Sequence, residues 1–259
     1  MRVAAIVEYD GSGFCGWQLQ DSVRTIQGVV EKAVSAVANE TVRVITAGRT
    51  DTGVHATGQV IHFDTLAVRN PLSWVRGINS NLPPDVAVLW AKEVDDDFHA
   101  RFRASGRHYQ YVILNRPVHP TWLSGKVTWD YRPLDVRRMQ DAATLLTGTH
   151  DFSSFRTVHC QAKEPVRNLR TLQVQRRSEM VFIHAYADAF LHHMVRNLAG
   201  VLMTIGAGEQ EPDWAQRVLA ARDRTLGGIT ARADGLYLTS VEYPEHYNIK
   251  QLSPDSPLW

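Results

Sequence analysis

Tyr9-Asp10-Gly11-Ser12-Gly13-Phe14-Cys15-Gly16-Trp17-Gln18 is the stretch on which the fold turns. It follows Arg2 to Tyr9, a Val-, Ile- and Ala-rich run that reads as a strand, and its glycines match GxGxxG. In a dinucleotide-binding fold the helix opens at those glycines, so that its first N–H groups meet the pyrophosphate. Here Leu19-Gln20-Asp21 still intervenes, and helical spacing begins only at Thr25. From there Ile26, Val29, Val30, Ala33, Val34 and Val37 fall on one stripe, and Thr25 suits the N-cap. The offset argues against a doubly wound, nucleotide-cofactor fold. Two other uses remain for the loop: a close approach to a nucleic-acid backbone, or a tight turn.

Farther along the chain, Thr41 to Thr46 and Gly58 to Phe63 read as strands, Pro71 to Leu82 as a short helix, and Val86 to Val94 as a strand. The order is β-α-β-β-α-β, the split βαβ arrangement. The second half repeats it. Arg107 to Leu114 alternates as a strand, Leu134 to Leu146 is helical, and Val166 to Arg176 and Met180 to Ala187 form a strand pair about a turn at Arg177-Ser178-Glu179. Leu191 to Ile205 is helical, Asp213 to Ala221 adds a helix, and Gly235 to Tyr243 is the last strand. The expected fold is α+β: two ferredoxin-like, RRM-like βαββαβ halves, with mainly antiparallel sheets, outer helices and a central cleft. The halves are 1–105 and 106–259, joined at Ala104-Ser105-Gly106.

The chain has 259 residues, of which 44% are hydrophobic and 21% charged, so it has the makings of a packed core rather than a disordered chain. No apolar run approaches the roughly 18–20 residues of a membrane helix, and the charged start does not resemble a signal peptide. Cys15 and Cys160 stand far apart without a CxxC pair, which excludes a disulfide scaffold and fits a cytoplasmic protein. The net charge of +1 disfavours coating of polyanions through bulk charge. Its distribution says more. Arg outnumbers Lys 23 to 5, Phe98 to Trp129 contains no acid, and Phe152 to Ser178 contains only Glu164. Acids gather instead at Glu93 to Asp97 and Glu209 to Asp213. A near-neutral total can therefore hold a basic surface, and Arg is the side chain whose planar fork suits phosphate.

Gly48-Arg49-Thr50-Asp51-Thr52-Gly53-Val54-His55 links two expected strands, its glycines letting the backbone bend tightly. A carboxylate at Asp51 can serve as nucleophile or general base; an ordinary turn is the alternative. Arg196 lies opposite the apolar stripe of its helix, facing solvent or a cleft. Tyr109 and Tyr111 alternate on one strand, where Tyr109 could stack on a base or pack in the core. His150, His159, Cys160, His192 and His193 have no metal-ligand spacing, and neither a Walker lysine motif nor GxSxG occurs. No metal and no nucleotide cofactor are expected.

The Gly48–His55 octet closely resembles the catalytic motif of the TruA family of bacterial tRNA pseudouridine synthases. Tyr9-Asp10-Gly11 with Gly16-Trp17-Gln18, Asn79 to Pro83, Asp97 to Phe102, Tyr109-Gln110-Tyr111, Asp151 to Phe155, His193-Met194-Val195-Arg196 and Gly235 to Leu238 follow in the family's order over essentially the whole chain. Thr52 departs from the Ala common there. The resemblance implies isomerisation of uridine to pseudouridine at positions 38, 39 and 40 of the tRNA anticodon stem-loop, by a homodimer, without a cofactor. It implies Asp51 as the essential aspartate and Arg196 as its basic partner. It further implies Tyr109 against the target base, Arg49 in extruding the nucleotide, and His55 among the substrate-binding residues. Two other readings compete. One is a non-catalytic RNA-binding protein with two RRM-like halves, weakened by the lack of an RNP-type aromatic run. The other is an oxidoreductase resting on the GxGxxG match.

Overall fold

A computed structural model describes residues 1–157, 160 and 162–253; His159 lies outside them. Among the described residues the chain is mixed α+β, with five α-helices and ten mostly antiparallel strands. It divides into two compact units, Met1–Ser105 with the chain from Tyr237 onward, and Gly106–Leu236.

Unit 1 contains β1 (Arg2–Tyr9), α1 (Ile26–Ala38), β2 (Ile45–Thr46), β3 (His55–Asp64), α2 (Pro71–Asn79) and β4 (Val86–Val94). β1 runs antiparallel to both β3 and β4 and lies between them. Its alternate residues Val3, Ala5 and Val7 pair with Phe63, Ile61 and Gln59. The Phe63 ring meets Trp74 of α2 edge-on at 5.3 Å. Such fully buried apolar side chains each contribute about 1.5–3 kcal/mol. α1 is capped by Thr25 as expected, the hydroxyl accepting the Gly28 N–H at 3.3 Å. β2 is shorter than expected, because the Val42 and Val44 N–H groups donate to Ser35 Oγ and Glu31 Oε1 of α1 instead of to a strand.

The break between Ser105 and Gly106 coincides with the one between the units, and β10 (Leu236–Glu242) crosses back over it. Expected to close the second half, it belongs from Tyr237 onward to unit 1, where Tyr237 and Leu238 pair in parallel with His55 and Ala56. β2 engages β3 only at Ile61 and His62, so the other end of that edge has ladder groups that need partners.

Unit 2 contains β5 (Gly106–Asn115), β6 (Thr128–Asp130), α3 (Val136–Leu146), β7 (Gly148–Asp151), β8 (Val166–Arg177), β9 (Met180–Ala187), α4 (Met194–Gly206) and α5 (Trp214–Ala221). The order β5-β9-β8-β7 is antiparallel throughout, with β6 added in parallel to β5. β8 and β9 join at the expected turn, where Ser178 takes φ 55°. β6 and β7 escape sequence reading because three or four residues, mostly polar in β7, carry no period. α4 begins three residues later than its apolar stripe suggests, because His193 has φ 63° and cannot continue a helix.

His62 of β3 is 1% exposed, accepts the Ala100 N–H at Nδ1 (3.1 Å) and meets Phe98 edge-on. Burial, reinforced by the positive charges of His99 and Arg2, pushes its pKa down to about 4. The folded state therefore requires the neutral ring. Its contribution is complete above the ordinary value of 6.5, erodes as pH falls between 6.5 and 4, and changes no further below that. Urea midpoints are expected to fall between pH 7 and pH 5, and less steeply in His62→Asn, which keeps an acceptor but cannot titrate. Equal slopes in both proteins would refute this.

Candidate active site

The segment between β2 and β3 alternates in exposure. Ala47 is buried, Arg49 exposed, Thr50 buried, Asp51 half-buried, Thr52 exposed and Val54 buried. The buried members hold the loop down, so Arg49 and Asp51 flank an anchor. Thr50 gives its carbonyl to the Trp17 N–H (3.0 Å), and the Asp51 carbonyl takes the Val54 N–H (3.1 Å) across Gly53, which has φ 80°.

The glycines of the GxGxxG match explain themselves here. A Cβ on Gly11 would stand 1.9 Å from the Val54 carbonyl oxygen, and one on Gly16 2.8 Å from that of Thr50. These glycines admit the protein's own Asp51 loop, where the spacing alone left open a nucleic-acid backbone or a simple turn. The helix behind them is also spoken for. The Ile26 and Gln27 N–H groups donate to the carbonyls of Gly16 (3.1 Å) and Trp17 (2.9 Å), and that of Gly28 to Thr25. A pyrophosphate would find these first-turn donors already used.

His55, expected among the substrate-binding residues, is 1% exposed. Its Nδ1 accepts the Gly11 N–H at 3.0 Å, and its ring stacks on Tyr237 at 4.6 Å. The Asp10 carboxylate lies 3.2 Å from the same nitrogen. The ring joins β10 and the glycine loop to the start of β3.

In unit 2, Tyr109 of β5 is half-buried with its ring edge-on to Phe190 at 5.1 Å, whereas Tyr111 is wholly buried, hydrogen-bonding Thr128 and donating to the Arg232 carbonyl. Of the two alternating tyrosines, Tyr111 is thus the core residue and Tyr109 keeps part of its ring exposed. Arg196 sits in the first turn of α4. Its Nε donates to the Ala231 carbonyl (2.8 Å), whose residue returns its N–H to the Arg196 carbonyl (3.1 Å). The first turn of this helix carries a cation, no acid and no side-chain cap, all of which favour positive potential at its start. Sequence reading missed what holds it. Gly200 admits the passing chain, since a Cβ there would lie 1.8 Å from the Ile229 carbonyl oxygen, and buried Asn197 donates to Phe155 (2.7 Å) and accepts from Thr230 (2.7 Å). A glycine inside a helical pattern was the one available hint.

The arginine-rich stretches serve two ends. Arg176 donates to Asn115 and the Leu134 carbonyl, and Arg107 to the Asp188 carbonyl, as parts of the scaffold. Arg101, Arg103, Arg170 and Arg177 are exposed, Arg170 lying over Tyr186 and Arg177 over Phe182. The acids at 209–213 are locally neutralised, Glu209 by Arg132 (2.7 Å), Glu211 by Arg138 (3.1 Å) and Asp213 by Arg217 (3.4 Å). No helix among the described residues is long and apolar enough to cross a membrane.

A family model described as tRNA pseudouridine synthase matches residues 5–103 and 142–244. Proteins named tRNA pseudouridine synthase A are similar over full length. That of Nitrosococcus oceani is 57% identical over 259 residues, covering 100% of both chains. That of Thiobacillus denitrificans is 54% identical over 257 residues, covering 99% of both. That of Coxiella burnetii is 52% identical over 251 residues, covering 97% of this chain and 96% of the relative.

Proposed function

This chain belongs to the tRNA pseudouridine synthase family and is an isomerase acting on uridine in tRNA, and from that premise we propose that it acts at positions 38, 39 and 40 of the anticodon stem-loop, with Asp51 as the essential carboxylate. The observation that carries the reading is the anchored loop, which holds Thr50 down and leaves Arg49 and Asp51 on either side of it. The reaction breaks the N1–C1′ bond and forms C5–C1′; C5 loses a proton and N1 gains one, so composition is unchanged. Nucleophilic attack on sugar or base, or abstraction of a sugar proton, would each require an ionised carboxylate held against the nucleotide. Arg49 acts in extrusion, where a guanidinium filling the vacated stack offsets an unstacking cost of a few kcal/mol. Tyr109 packs on the extruded base and Arg196 is the cation that serves Asp51. His55 acts at one remove, by holding the loop. The enzyme works in the cytoplasm as a homodimer, one tRNA touching both subunits, while exposed arginines such as Arg101 and Arg170 meet phosphates.

Purified protein mixed with unmodified tRNA carrying tritium at uridine C5, with no cofactor added, is expected to release tritium and to leave pseudouridine at positions 38–40. Binding without release, or modification elsewhere, would sink the reading. Arg196→Ala should slow turnover about tenfold to a hundredfold, the range expected for a lost charge-assisted hydrogen bond, and weaken tRNA binding by less. Unchanged turnover would remove Arg196 from the chemistry.

A further inference from the structure

Beneath the Asp51 loop lies a buried polar chain. Gln59, in the middle of β3 and opposite Val7 of β1, is 0% exposed. Its Nε2 donates to the Gly48 carbonyl at 2.7 Å and, more weakly, to the Tyr9 hydroxyl at 3.4 Å. That hydroxyl lies 2.8 Å from Thr50 Oγ1. Either hydroxyl can donate in that bond, so Gln59, Tyr9 and Thr50 form one connected chain. One amide therefore reaches the loop at two points, the carbonyl just before Arg49 and the residue between Arg49 and Asp51.

Three observations mark this as more than packing. Among the described residues the buried Gln59 Oε1 has no hydrogen-bond partner, a cost that an apolar side chain of the same volume would avoid. Burial pushes the Tyr9 pKa up to about 12, which keeps its proton in place at any working pH. Both supports stand on paired central strands, β1 and β3, so they have little freedom to follow the loop. Thr46 Oγ1 also donates to the Gly48 carbonyl, at 3.3 Å. That contact would survive loss of Gln59, so the loop would stay attached but lose its aim.

We propose that Gln59, acting through the Gly48 carbonyl and the Tyr9 hydroxyl, is a positioning residue that sets the direction of Asp51 and Arg49. This rests on the assignment of Asp51 as the essential carboxylate. The test is single-turnover tritium release from C5-labelled tRNA, with tRNA Kd measured in parallel, for wild type, Gln59→Met, Tyr9→Phe and the double variant. Gln59→Met keeps the volume and removes the donor. It is expected to slow release about tenfold to a hundredfold, since a misplacement near 1 Å costs on the order of a hundredfold, with Kd within about threefold of wild type. Tyr9→Phe should have a smaller effect in the same direction. The double variant should be no slower than Gln59→Met by more than about twofold, because both act on one chain of bonds. Release by Gln59→Met within about twofold of wild type, a Kd that weakens as much as the rate, or additive losses would each overturn the proposal. Should Gln59→Met not fold, Tyr9→Phe decides alone, a rate loss at unchanged Kd supporting the proposal and an unchanged rate refuting it. Wild-type protein that releases no tritium would refute the functional reading instead, so the two failures are distinct.

Discussion

Asp51→Asn is expected to lower pseudouridine formation by about a thousandfold or more, since acid–base or nucleophilic groups contribute on the order of 10²–10⁴. The substitution preserves size and removes the charge. The loop should survive it, because the turn uses the Asp51 carbonyl to accept the Val54 N–H, and any residue supplies a carbonyl. Thermal midpoint and tRNA affinity should therefore stay near those of wild type while tritium release disappears. A variant that keeps release within tenfold would show that another group does the chemistry. A variant that loses both release and stability would point to a scaffold role instead.

Gly11→Ala should be the most damaging single-methyl change in unit 1. The added carbon would lie 1.9 Å from the Val54 carbonyl oxygen, and the three nearest atoms are all main chain of Val54, so none can rotate away. Overpacking of this kind costs about 1–3 kcal/mol and occasionally more. The displacement falls on the turn that carries Asp51, so a rate loss on the order of a hundredfold is expected as well. Gly13→Ala is the internal control. Its new carbon meets side-chain ends only, the Arg24 Nη1 at 3.2 Å and the Asp85 Oδ2 at 3.8 Å, and no main chain. Rate and thermal midpoint should stay close to wild type there. Equal behaviour of the two alanine variants would remove the close approach from the account of the loop.

Elements with their own period are legible in the chain itself. β1, β4 and β9 run over the expected residues because alternating or continuous apolar residues bounded by turn formers leave little choice, and α1 starts one residue after its Thr25 cap. β2 is overextended by such a reading because the competition for the Val42 and Val44 N–H groups comes from side chains of α1, which no strand propensity registers. The proposed catalytic loop is legible as spacing: Arg49, Asp51 and His55 stand out because polar residues among glycines between two strands have few structural uses. Their different situations are not legible. His55 looks as polar as Asp51 in the chain, and only the stacked Tyr237, 182 positions away, makes it an interior residue.

Residue order alone thus determined the mixed α+β alternation, the mismatch with a nucleotide-binding loop and the position of the glycine-bounded polar segment at 48–55. Each of these is a matter of local period, local spacing or turn chemistry, which neighbouring residues settle among themselves. Tertiary structure alone decided why Gly11 and Gly16 are glycines, since the carbonyls they approach belong to Val54 and Thr50. It likewise decided that β10 completes β3 and that Gln59 and Tyr9 bear on Gly48 and Thr50. These are questions of which distant groups satisfy one another's hydrogen bonds and volumes. A one-dimensional pattern carries no distance between such groups, so only the folded chain can answer them.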